Sequence, residues 1–93
     1  MPSYLYQVSY TSEAWSALSK KPQNRLEAIR PVIEGMGGQL VTGFFAFGEY
    51  DVILIVNYPN NVVAAAFSVA AAAGGAIKAI KTTPLLASKT GRR

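Results

Sequence analysis

The chain has no cysteine and no histidine. Without cysteine, neither a disulfide framework nor thiolate chemistry is open to it. Without histidine, the commonest metal ligand and the usual general base at neutral pH are both missing. A metal site would have to use carboxylates alone, and the five acidic residues lie scattered along the sequence. No phosphate loop, nucleophile elbow or zinc spacing occurs. No metal and no cofactor are therefore expected. Charge is scarce too: 15% of the residues are Asp, Glu, Lys or Arg, against about a quarter in an ordinary globular domain. A chain of 93 residues has a high surface-to-volume ratio and should need more charge, not less. Burial of part of its surface in an oligomer accounts for the deficit.

Long apolar runs are also missing. Val62–Ala73 is apolar but far shorter than the ~20 residues a membrane span requires. Met1–Pro2–Ser3–Tyr4 lacks a basic region followed by an apolar stretch, so a cytoplasmic protein with no membrane span is expected. The net charge of +4 comes largely from Lys89, Arg92 and Arg93. Residues 1–87 read as one domain, and Ser88–Arg93 as a basic, flexible tail. The remainder is close to neutral, which makes nucleic acid an unlikely partner. Tyr4, Tyr6, Tyr10, Phe44, Phe45 and Phe47 could in principle stack on RNA bases. However, Thr42 stands where an RNA-recognition octamer has a base, and Phe45 where it has a small residue.

What is present is a patterned α+β chain. Tyr4–Tyr10 alternates and is rich in aromatics, as a strand does. Thr11–Ser12–Glu13 is a helix start, and the helix runs to about Lys20 before Pro22 interrupts it. Asn24, with Glu27 three residues on, restarts it. Leu26, Ile29, Ile33 and Met36 then fall on one helical face, and Gly37–Gly38 stops it. Pro31 lies inside that pattern; a kinked helix is expected because the apolar period continues across it. Gln39–Phe47 and Tyr50–Tyr58 read as two strands joined by a hairpin at Gly48–Glu49. Either Asn60 or Asn61 caps a second, alanine-rich helix to about Ala73. Ala76–Thr83 is the last strand, which Pro84 ends or marks as an edge.

Strand, helix, strand, strand, helix, strand gives a ferredoxin-like fold: a four-stranded antiparallel sheet with both helices on one face. Val52–Ile53–Leu54–Ile55–Val56 is apolar on both sides. One of its two sets must therefore look away from the helices. Phe44, Phe45, Phe47, Ile53 and Ile55 are the candidate oligomer interface, with sheets pairing face to face. The uncharged second helix reads as tight packing on the sheet, or as a further interface or one wall of a ligand cleft.

Gly48–Glu49–Tyr50–Asp51 matches the Gly-x-Tyr-Asp signature of the GYD-domain family. Pro2–Ser3–Tyr4 with Val8–Ser9–Tyr10–Thr11 resembles that family's opening strand. Arg30–Pro31–Val32–Ile33–Glu34, with Gly37–Gly38–Gln39–Leu40, resembles its helix and second strand. Asp51–Val52 and Pro59–Asn60 extend the likeness over nearly the whole chain. The resemblance implies a ferredoxin-like fold of the dimeric α/β-barrel kind and says little of activity.

Two roles are open to the signature loop. Glu49, Tyr50 and Asp51 could form an acid/base group. Adjacent strand residues point to opposite faces, however, which favours Gly48 as turn former and Asp51 as acceptor for nearby backbone amides. Gln7, Ser9, Tyr50, Asp51 and Lys78 are the candidate ligand-binding residues, a small polar patch in apolar surroundings. No catalytic residue is assigned. The expected function is a homo-oligomeric module that binds a small molecule or serves regulation or assembly. The alternative is a cofactor-free small enzyme, isomerase- or oxygenase-like, of the dimeric α/β-barrel type.

Overall fold

Alternation of large apolar side chains builds the sheet on which everything else rests. The structure is a computed structural model describing residues 1–20 and 24–87. The expected break at Pro22 and the tail Ser88–Arg93 lie outside the described residues. Strand β1 (Ser3–Tyr10) buries every second residue. Strand β3 (Val52–Asn57) does the same. Strands β2 (Gln39–Phe45) and β4 (Ile77–Leu85) flank them, giving the order β2-β3-β1-β4. All three pairings are antiparallel. This is the ferredoxin-like arrangement the sequence predicts.

Three helices supply the cover. Helix α1 (Ser12–Lys20) starts where the Thr11 hydroxyl accepts from the Ala14 amide at 3.1 Å. Helix α2 (Arg25–Gly35) starts where the Asn24 side chain accepts from the Leu26 and Glu27 amides. It continues across Pro31 and buries Ile33 completely. Packing of Leu26, Ile29 and Met36 against the core accompanies Ile33, and this apolar stripe offsets the hydrogen bond that proline cannot make. Helix α3 (Asn61–Ala73) is capped by Asn60, which accepts from the Val63 amide at 3.0 Å. Asn61 is engaged elsewhere, accepting from the Tyr4 hydroxyl.

One sheet face and the helices enclose the core: Tyr4, Tyr6, Val8, Val52, Leu54 and Val56, closed over by Ile33, Ala64 and Phe67. Gly38 permits this closeness. A Cβ there would stand 2.6 Å from Tyr58 Cδ1 and 2.8 Å from the Asn57 carbonyl. The opposite face carries Leu5, Gln7, Ile53, Ile55 and Phe44, and no helix lies on it among the described residues.

The strand limits differ from expectation chiefly at the β2–β3 turn and at the end of β4. β2 ends at Phe45 rather than Phe47, and β3 begins at Val52 rather than Tyr50. The last link between them is Ala46 N–H to the Asp51 carbonyl at 2.8 Å. Beyond it the chain turns through Gly48 at φ +134°, a conformation that side chains rarely adopt. β4 runs two residues past Thr83. Pro84 and Leu85 still pair with Tyr4 and Ser3, and an edge strand tolerates a proline.

Candidate functional site

The signature loop is fastened to the end of β1. Asp51 uses its backbone and its side chain together. Its amide donates to the Val8 carbonyl at 2.8 Å, and its Oδ2 accepts from the Tyr10 amide at 2.9 Å. The Ser9 hydroxyl donates to the Glu49 carbonyl at 2.9 Å. A strand end with unpaired amides needs such partners, and a carboxylate accepting a backbone N–H is a strong one.

The predicted ligand residues gather toward one end of the sheet without forming a single site. Ser9 and Asp51 are committed to the loop bonds just described. Gln7 lies one alternation back on the helix-free face, opposite Lys81. The register shifts between Ser9 and Tyr10, where Ala79 and Ile77 pair and Lys78 is skipped. Lys78 therefore stands exposed at a bulge, and the lysine facing Gln7 is Lys81. Tyr50 lies in the loop, partly exposed. Of the interface candidates, Phe44, Ile53 and Ile55 share the helix-free face. Phe45 pairs with Val52 on the helix side, and Phe47 stands fully exposed in the loop.

On the helix side two features stand out. The first is a cavity of about 220 Å³ between the sheet, α2 and α3. Its lining includes Val8, Leu54, Ile29, Phe67 and Ala71, with Tyr10 and Arg25 as its polar members. The Arg25 guanidinium carbon sits 5.6 Å from the centre of the Tyr10 ring, within cation–π range. The ring of Trp15 meets Tyr10 edge-on at 5.7 Å.

The second is a cluster of Tyr4, Tyr6, Tyr58 and Phe67 beneath α3, with ring centres 5.1 to 6.4 Å apart. The Tyr6 hydroxyl donates to the Ala64 carbonyl at 2.8 Å. The Tyr58 hydroxyl is buried and has no partner among the described residues. Burial pushes the Tyr58 phenol up to about 12. Tyr6 is pushed further in the same direction, by burial first and then by its neighbours Tyr58 and Tyr4. Both stay neutral at physiological pH.

Arg25 was not legible as a site residue from spacing alone. One signal does exist. It opens a helix, where the macrodipole disfavours a cation, and a local rule broken without local gain marks a functional candidate. Among the described residues no three acidic side chains come together as a metal site, and no helix is long and apolar enough to cross a membrane.

The fold and its loop define a ferredoxin-like α+β protein with one sheet face free of helices among the described residues. The GYD domain model matches residues 4–92, and the chain belongs to that family. Among solved structures, MtbAldR is similar, with a TM-score of 0.71 and 21% identity. The likeness covers 94% of this chain and 54% of that one, so the chain spans about half the length of the structure it matches. No curated protein matches the sequence.

Proposed function

We propose that this chain is a homo-oligomeric binding module. Copies pair through their helix-free sheet faces, and a small molecule is held against the sheet. The observation that carries this reading is the uncovered face itself. Leu5, Ile53, Ile55 and Phe44 lie on it, with Lys81 opposite Gln7, and Phe44 is 57% exposed. A second copy offers the same surface, and such a patch is self-complementary about a two-fold axis. Pairing would enclose Gln7 and Lys81 in apolar surroundings, the pattern of a ligand site. A cytoplasmic location belongs to the same proposal.

Two further observations support a module rather than a free-standing enzyme. The same fold occupies about half of a longer chain in MtbAldR. The perturbed phenols, Tyr6 and Tyr58, are moved away from neutrality, whereas a general base works best with a pKa near the working pH. Neither lines the cavity beside Arg25.

Replacing Ile55 with lysine tests the pairing. The side chain lies away from the core, so Ile55→Lys should keep the far-ultraviolet circular dichroism of the wild type while lowering its mass in solution. An unchanged mass would show that this face is not the contact.

A further inference from the structure

The cavity beneath α2 and α3 lies on the opposite side of the sheet from the proposed pairing face, within a single subunit. We infer that it binds a small apolar monocarboxylate, with Arg25 as the group that meets the carboxylate. This inference goes beyond the pairing proposal: it assigns a second site, on the other side of the sheet from Gln7 and Lys81.

Size comes first. A cavity of ~150 Å³ lined by apolar side chains takes benzene. At about 220 Å³ this one has room for a ring or short chain carrying a few more atoms. Leu54, Ile29, Phe67 and Ala71 offer no polar partner inside, so the body of the ligand must be apolar. Charge comes second. Arg25 is the one charged residue of the lining among the described residues, and it is partly exposed. It has no carboxylate partner among the described residues; the one ion pair found there joins Arg30 to Glu27. Its position in the first turn of α2 adds the positive end of the helix dipole rather than opposing it. Contact with the Tyr10 ring holds the guanidinium in place, and its planar fork matches a carboxylate. An apolar recess with one fixed cation selects a monoanion with an apolar tail over both a polar anion and a neutral hydrocarbon.

Phenylacetate and its neutral counterpart phenylacetamide are the probes. Trp15, the chain's single tryptophan, touches Tyr10 and serves as reporter. Titration calorimetry and Trp15 emission should show phenylacetate binding about tenfold tighter than the amide, the scale of one charge-assisted hydrogen bond. Arg25→Gln should remove that preference by weakening phenylacetate far more than the amide. Ala71→Phe, which fills the cavity, should abolish binding of both. Ala28→Phe repeats that test at an exposed lining position, in case the change at the half-buried Ala71 prevents folding. Equal binding of acid and amide, a preference that survives Arg25→Gln, or no binding of either would overturn the inference. Sedimentation of the same samples keeps the two proposals apart. An oligomer that ignores phenylacetate fails here alone, and a monomer that binds it fails only the pairing.

Discussion

Tyr6 and Tyr58 stand side by side in the core, yet their hydroxyls fare differently. Tyr6 has the Ala64 carbonyl; Tyr58 has no partner among the described residues. A buried hydroxyl without a hydrogen bond costs about 1–3 kcal/mol, while a made one contributes about 1. Tyr58→Phe should therefore raise the melting temperature by several degrees, and Tyr6→Phe should lower it by a similar amount. Differential scanning calorimetry of the two variants reads both signs. The same residues set a limit in alkali. Tyr58 titrates at an ordinary value of 10.0 when unfolded and about 12 when folded. Its contribution to stability is thus complete below pH 10 and lost as pH rises through 12, at roughly 1.4 kcal/mol per pH unit between them. Tyr6 adds to the same decline. Urea melts from pH 8 to 12 should be flat at first and then fall, less steeply in Tyr58→Phe. Asp51 is a different case, since its worth is geometric. Asp51→Ala leaves the Tyr10 amide without its acceptor and should cost about 1–2 kcal/mol. Asp51→Asn, which keeps an oxygen in place, should cost less. A normal melt for Asp51→Ala would contradict its role as the clamp of the signature loop.

Elements were largely legible because their signals are local. The cap at Asn24, the stripe Leu26–Ile29–Ile33–Met36 and the paired glycines fix α2 from three directions, and the helix holds across Pro31. Alternation fixes β1 and β3 to within two residues. What escaped is whatever depends on register. Nothing in Ala76–Lys81 announces the bulge that skips Lys78 and sets Lys81 opposite Gln7. The cavity escaped for a related reason: its lining is drawn from five elements and has no spacing of its own. Arg25 could be found only by asking why a cation begins a helix. The stop of α2 gives a test at this level. Gly38 N–H donates to the Ile33 carbonyl, and the residue lies against Tyr58 and the Asn57 carbonyl. A backbone oxygen cannot yield as a side chain can. Gly38→Ala should lower stability by about 1–3 kcal/mol, read from a denaturant midpoint.

The molecule as a whole is short of charge on a surface that ought to be rich in it. That deficit and the uncovered sheet face point to the same arrangement from composition and from structure. Helices cover one side of the sheet; Leu5, Ile53, Ile55 and Phe44 occupy the other. Association of copies is the central claim. Sedimentation equilibrium of the purified chain at micromolar concentration tests it most directly. The account predicts a mass at least twice 9.9 kDa with no folded monomer. A well-folded species of 9.9 kDa, unchanged on raising the concentration tenfold, would contradict it.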